Sequence, residues 1–187
     1  MLVLPVQADY EKGVDAYFRE DYATALSEFT RVAEQGDSNA QYNVALMYLK
    51  GEGTGADLQQ ALHWFRAAAA AGQLYAQGFL GALYADGQGV PQDDRLAAYW
   101  LGAAARGGHA PSQYFLGRLY LHGRGVPRDD VQAYLWLGLA VNNGYADALS
   151  LRDRTGRGLT AGELATAERL VEEHWAQNDP SAQAKTP

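Results

Sequence analysis

Three Gly-x-Gly loops, Gly51-Glu-Gly53, Gly87-Gln-Gly89 and Gly123-Arg-Gly125, are the segments of this sequence that look most like a ligand-binding device. A glycine-rich loop cradles phosphate when it follows a strand and opens a helix, so that free N–H groups point at the anion. Here the glycines follow segments of helical spacing, and Asp57, Asp93 or Asp129 already stands where the next helix starts. The loops therefore read as structural turns. Trp64, Trp100 and Trp136 have the flat faces of stacking platforms, yet each lies three residues after an alanine and before an apolar residue, which is core spacing. His63, His109, His122 and His174 are scattered, with no pair at i,i+4 and no acidic residue completing a metal-ligand motif. None of the serines sits in a G-x-S-x-G elbow or an S-x-x-K arrangement. The pairs Asp93-Asp94 and Asp129-Asp130 are explained by helix capping without acid–base chemistry. The expectation is no catalytic, cofactor or metal site, and no enzyme.

The elements that carry these residues recur. Gly51, Gly87 and Gly123 are 36 residues apart, as are Asp57, Asp93 and Asp129, the three tryptophans, and Tyr48, Tyr84 and Tyr120. Ala61, Ala97 and Ala133, then Ala68, Ala104 and Ala140, then Gly72, Gly108 and Gly144 keep the same register. A period of this size marks a stacked array, each copy burying its apolar face on the next. Within a copy, Phe79, Leu80, Leu83 and Tyr84 share one helical face, and Leu96, Ala97, Trp100, Leu101 and Ala104 share another. Each copy is a helix hairpin. The array begins earlier with a shorter hairpin over 9–36, in which Arg19-Glu-Asp-Tyr22 replaces the glycine loop. Copies over 37–72, 73–108 and 109–144 follow. A capping region over 145–177 starts a helix near Ala146 that reaches about Arg154; then Thr160-Ala-Gly-Glu163 is a capping box opening a helix with Leu164, Ala167, Leu170, Val171 and Trp175 on one face. Residues 178–187 are polar and expected to be a disordered tail.

Composition narrows the function. Of 187 residues 48% are hydrophobic, enough for a sizeable core, and the net charge of −7 with no basic stripe argues against nucleic acid. No apolar run approaches a membrane span. The absence of cysteine excludes disulfides and thiolate chemistry. Residues 1–8 are apolar, and Val6-Gln7-Ala8 before Asp9 has the small-x-small form of a signal-peptidase site. Two readings stand, a frayed segment or the stub of an export signal; the second would place the protein in the periplasm.

The unit G-x-G-V-P-x-D…A…W…A-A…G resembles the Sel-one-like repeat, a relative of the tetratricopeptide repeat, over roughly Tyr10 to Gly144. The resemblance implies an all-α fold, a right-handed α/α solenoid of about four hairpins with a C-terminal capping helix. It also implies an adaptor, often bacterial, that binds proteins. Thr54-Gly55 departs from the Val-Pro of later copies, so that loop should be looser. Some secreted relatives carry a cysteine pair in every unit, and this chain has none. Carried over, tetratricopeptide geometry puts the first helix of each hairpin on a concave face. That face would present Tyr10, Val14 and Tyr17, then Asn39, Tyr42, Leu46, Leu49 and Lys50. It would continue through Tyr75, Ala82 and Asp86 to Tyr114, Arg118, Leu121 and His122. These positions vary while the frame repeats. A tyrosine-rich wall suits peptide capture, with Asn39, Lys50 and Arg118 fixing orientation; the same tyrosines could instead simply pack between copies. The expected function is a monomeric, non-enzymatic scaffold for an unidentified peptide or protein segment. The alternatives are an envelope enzyme of β-lactamase-like or cell-wall-processing type and an assembly factor acting through its ends.

Overall fold

The computed structural model describes residues 5–178, with side chains over 9–177. Every regular element among the described residues is an α-helix. The first five are α1 (Pro5–Phe18), α2 (Tyr22–Ala33), α3 (Ser38–Lys50), α4 (Leu58–Ala70) and α5 (Leu74–Asp86). Then come α6 (Asp94–Arg106), α7 (Ala110–His122), α8 (Asp130–Asn142), α9 (Ala148–Gly158) and α10 (Ala161–Asn178). Of the apolar N-terminal segment, residues 1–4 lie outside the described residues and 5–8 form the first turns of α1. Of the expected tail, only Asn178 is described, as the last residue of α10.

Aspartates open these helices. The carboxylates of Asp21, Asp37, Asp57, Asp93 and Asp129 each accept at least one N–H from the first turn of the helix that follows. They satisfy donors that have no partner within the helix and place negative charge at the positive end of its dipole. Glycine closes them. After α4, Gly72 adopts φ +85°, which lets its own N–H reach Ala69 O and the Gln73 N–H reach Ala68 O. Thr160 and Glu163 close the expected capping box: the Thr160 N–H donates to Glu163 Oε2 at 2.9 Å and the Glu163 N–H to Thr160 Oγ1 at 3.3 Å.

The chain divides into two bodies, residues up to Leu80 and residues from Gly81, the division falling inside α5. In the N-terminal body Ala16, Ala25, Phe29, Val32, Val44 and Met47 form a buried cluster, joined by half-buried Tyr10, Tyr48 and Trp64. Gly13 lets α1 close on α2, since a Cβ there would stand 2.7 Å from the Phe29 ring. In the C-terminal body Gly81 meets Leu101 and Gly117 meets Leu137 in the same way. Phe29, Leu101 and Leu137 occupy equivalent positions, so one small-on-large contact is reused.

A second reused device is a glutamine. Gln41 Nε2 donates to Ala33 O, Gln77 Nε2 to Ala69 O and Gln113 Nε2 to Ala105 O, at 3.0–3.1 Å. Each reaches back to the end of the preceding hairpin and gives a second donor to a carbonyl that already accepts the N–H of the closing glycine. The glutamines stand 36 residues apart, a repeat that glycine and tryptophan overshadow in the sequence.

Three expectations need adjusting. The helix expected from near Ala146 to about Arg154 runs from Ala148 to Gly158. In its added turn Thr155 Oγ1 donates to Leu151 O and the Tyr134 ring lies against Gly156. Trp136 is a core residue at 8% exposure, but Trp64 and Trp100 are only half-buried. In the first connector, Tyr22 already belongs to α2, leaving Arg19 to Asp21 as the turn. The Thr54-Gly55 departure changes what the loop buries. Val90 is buried and Val126 half-buried, whereas Thr54 is exposed and contributes no apolar plug.

Candidate functional site

The non-repeating residues collect into two groups, one in each body. In the N-terminal body the first group is held by α1, α3 and the start of the following loop. The Tyr17 hydroxyl donates to Glu52 Oε2 at 3.0 Å and accepts from Lys50 Nζ at 3.4 Å, and Lys50 Nζ stands 3.5 Å from Glu52 Oε1. The Tyr17 oxygen, with Glu52 behind it, holds the Lys50 ammonium above its usual range. Tyr10 is half-buried; its hydroxyl accepts from Asn43 Nδ2 at 3.0 Å and its ring lies 5.4 Å from Phe29. Tyr42 is half-buried edge-on to Phe65 and 6.1 Å from Tyr75, and burial raises its hydroxyl pKa. Tyr75 itself is 54% exposed. Asn39 and Lys50 are exposed, at the first and last turns of α3, and Leu46 is half-buried.

Leu46 lines a cleft of about 260 Å3 together with Val14, Tyr17, Phe18, Phe29, Asn43, Met47 and Glu52. Phe18, on its rim, is 81% exposed, the largest value among the big apolar residues described.

The C-terminal group is cationic. The Arg118 guanidinium lies 5.7 Å from the Tyr114 ring centre and 5.8 Å from that of Phe115. Tyr114 also packs on Tyr145 at 5.1 Å. Arg118 and His122 line a small cleft of about 60 Å3 with Asp86, Phe115 and Arg124. Arg124 is pinned: its guanidinium donates to both Asp94 oxygens, at 2.6 and 3.0 Å, and to Ala85 O at 3.1 Å. That guanidinium holds the Asp94 carboxyl below the usual carboxylate range. Arg118, by contrast, forms no ion pair among the described residues.

Among the ten expected contact residues, Tyr17 and Lys50 meet directly, as do Tyr42 with Tyr75 and Tyr114 with Arg118. Sequence reasoning passed over Phe18, Asn43, Glu52, Phe115 and Arg124. One signal for Glu52 and Arg124 was present, because they occupy the same place in their copies, two periods apart, with Gln88 between. A position inside the invariant Gly-x-Gly frame that holds an acid, an amide and a base is under no common packing demand.

One serine–histidine contact exists. His109 Nδ1 lies 2.7 Å from Ser112 Oγ, but Ser112 is 1% exposed at the first turn of α7, where no substrate carbonyl can reach it. Burial lowers the His109 pKa. Among the described residues no group of three or more His, Asp or Glu could hold a metal ion, and no helix is long and apolar enough to cross a membrane.

The Sel1 repeat model matches residues 38–73, 74–109 and 110–145, one residue later than the expected hairpin boundaries. A Sel1 repeat protein from Oxalobacter formigenes is 36% identical, over 69% of this chain and 97% of that one, with a TM-score of 0.66. A protective antigen present in uropathogenic Escherichia coli strains, described as displaying an SLR fold, is 31% identical with a TM-score of 0.65. It covers 96% of this chain, which spans 47% of its length. Helicobacter pylori cysteine rich protein B, at 22% identity and a TM-score of 0.55 over 70% of this chain and 94% of that one, shares the fold. A search of the curated proteins finds no match. Sel1 repeat proteins generally serve as protein-interaction scaffolds and are generally not enzymes. Three copies of the motif over most of the chain, with a 36%-identical relative, place this all-helical α/α-solenoid-type chain in the Sel1 repeat family.

Proposed function

We propose that this protein is a non-enzymatic scaffold that binds a segment of a partner protein through the first helices of its hairpins. Tyr10, Tyr17, Asn39, Tyr42, Leu46, Lys50 and Tyr75 supply that face in the N-terminal body, and Tyr114, Arg118 and His122 supply it in the C-terminal body. The observation that carries the reading is Arg118. It is exposed, lies over Tyr114 and Phe115, and has no carboxylate paired with it among the described residues, while its counterparts in the other copies are Leu46 and Ala82. A cation fixed over aromatic rings and without an ion pair among the described residues suits a carboxylate-bearing partner. The half-exposed Tyr75 offers contact area at low entropic cost. Affinity capture from the native source tests the reading. Wild-type protein should retain partners that Arg118→Glu and Tyr75→Ala lose; identical partner sets from all three proteins would overturn it.

A further inference from the structure

The cleft between α1 and α3 has the form of an anchor pocket, and its surroundings select the charge of what enters. Its volume of about 260 Å3 exceeds the roughly 150 Å3 of an apolar cavity that holds a benzene ring. The walls are Val14, Phe29, Leu46 and Met47, with Asn43 and Glu52 as polar groups at the edge. Phe18 stands at the rim at 81% exposure, an aromatic left in water at a cost that an occupant would remove.

Charge supplies the second argument. Residues 1–36 hold seven acidic and three basic side chains. Glu11 shares the helical face of Val14 and Phe18, and Glu20 follows Phe18 by two residues. Both are exposed and without an ion pair among the described residues. Among the described residues Asp15 is paired only with Arg19, and both side chains are about 70% exposed, a pair that adds little and yields easily to a competing cation.

We propose that this cleft binds a linear peptide segment carrying one large apolar side chain between basic residues, the apolar group entering beside Phe18 and the basic flanks meeting Glu11 and Glu20. The inference rests on the scaffold reading above and names the partner chemistry of its first hairpins.

The test uses the full chain and a short fluorescein-labelled peptide with a central tryptophan between lysines, followed by fluorescence anisotropy. Control peptides replace the tryptophan with alanine or the lysines with glutamates. The lysine–tryptophan peptide should bind at least about tenfold more tightly than either control, and more weakly as salt rises. Phe18→Ala should reduce its affinity by about tenfold, and Phe18→Leu should restore part of it. Because Phe18 is solvent-exposed, neither change threatens folding. Equal binding of the glutamate-flanked peptide, or no loss in Phe18→Ala, would overturn the proposal. So would self-association of the wild type that Phe18→Ala abolishes, since a second copy would then be the occupant. If native partners depend on Arg118 but not on Phe18, the scaffold reading stands and the pocket falls.

Discussion

Glu52 and Arg124 occupy the same position two copies apart, and each ties its loop back to the preceding hairpin with opposite charge. Glu52 accepts from Tyr17 and faces Lys50, so its charge is shared with a residue on its own side of the loop. Arg124 is clamped by Asp94 and by Ala85 O. The neighbouring glycine does not change. A Cβ on Gly53 would lie 2.3 Å from Tyr22 O, and one on Gly125 1.9 Å from Asp94 O. Tyr22 and Asp94 are both the first residue of the second helix in the preceding hairpin. Backbone seats the loop in both bodies, and the side chain before the glycine is thereby released to carry either sign. One fold thus presents an apolar cleft edged by Asn43 and Glu52 in one body and a cationic aromatic patch in the other.

If backbone seating is the common element, its loss should cost most. Gly125→Ala should destabilise the protein by at least about 2 kcal/mol, because a left-handed φ of +70° and a contact with Asp94 O are violated together. Gly53→Ala should do nearly as much, and chemical denaturation of the two variants checks both. If either proves neutral, the loops are not held as described. Next comes the side-chain clamp. Arg124→Ala should cost about 1 kcal/mol, kept modest by the partial exposure of both partners, and Glu52→Ala should cost less, since it loses one neutral donor and a long ion pair. A double-mutant cycle with Asp94→Asn should assign most of the Arg124 loss to that pair.

The same clamp predicts a difference in acid. Asp94 has its carboxyl pKa lowered in the folded chain from an ordinary value near 3.8. The unfolded chain therefore takes up its proton first as the pH falls. The clamp's contribution is complete above about pH 5 and is lost as pH drops through 3.8 towards the lowered folded value. Denaturation midpoints followed from pH 6 to pH 3 should fall less steeply in Arg124→Gln than in wild type. The smallest change in stability belongs to the contact face. Tyr75→Ala and Arg118→Glu should stay within about 0.5 kcal/mol of wild type while losing partners, which separates presentation from frame.

The frame was legible in the sequence because backbone demands leave one residue type each. Left-handed φ at Gly51, Gly87 and Gly123 and capping at Asp57, Asp93 and Asp129 recur with the period and need no knowledge of neighbours. The tyrosines were legible as candidates, but whether Tyr42 faces Phe65 and Tyr75 or open water depends on which helix lies against it, a long-range matter that spacing does not encode. Phe18 went unnoticed because one phenylalanine at a helix end reads as core until its surroundings are known. Gln113 was missed because its hydrogen bond to Ala105 O crosses between hairpins, so neither residue looks unusual alone.

That glutamine bond gives whole-copy editing a joint that can be reused. Gln77 holds Ala69 O and Gln113 holds Ala105 O, so excising 77–112 would bring Gln113 directly after Ala76, in the place Gln77 held before Ala69 O. The splice would remake the glutamine joint, whereas Arg124 would lose both Asp94 and Ala85 O, which lie within the excised stretch. Duplication can thus add a new reading position on the same glutamine joint, while each loop clamp depends on the copy before it.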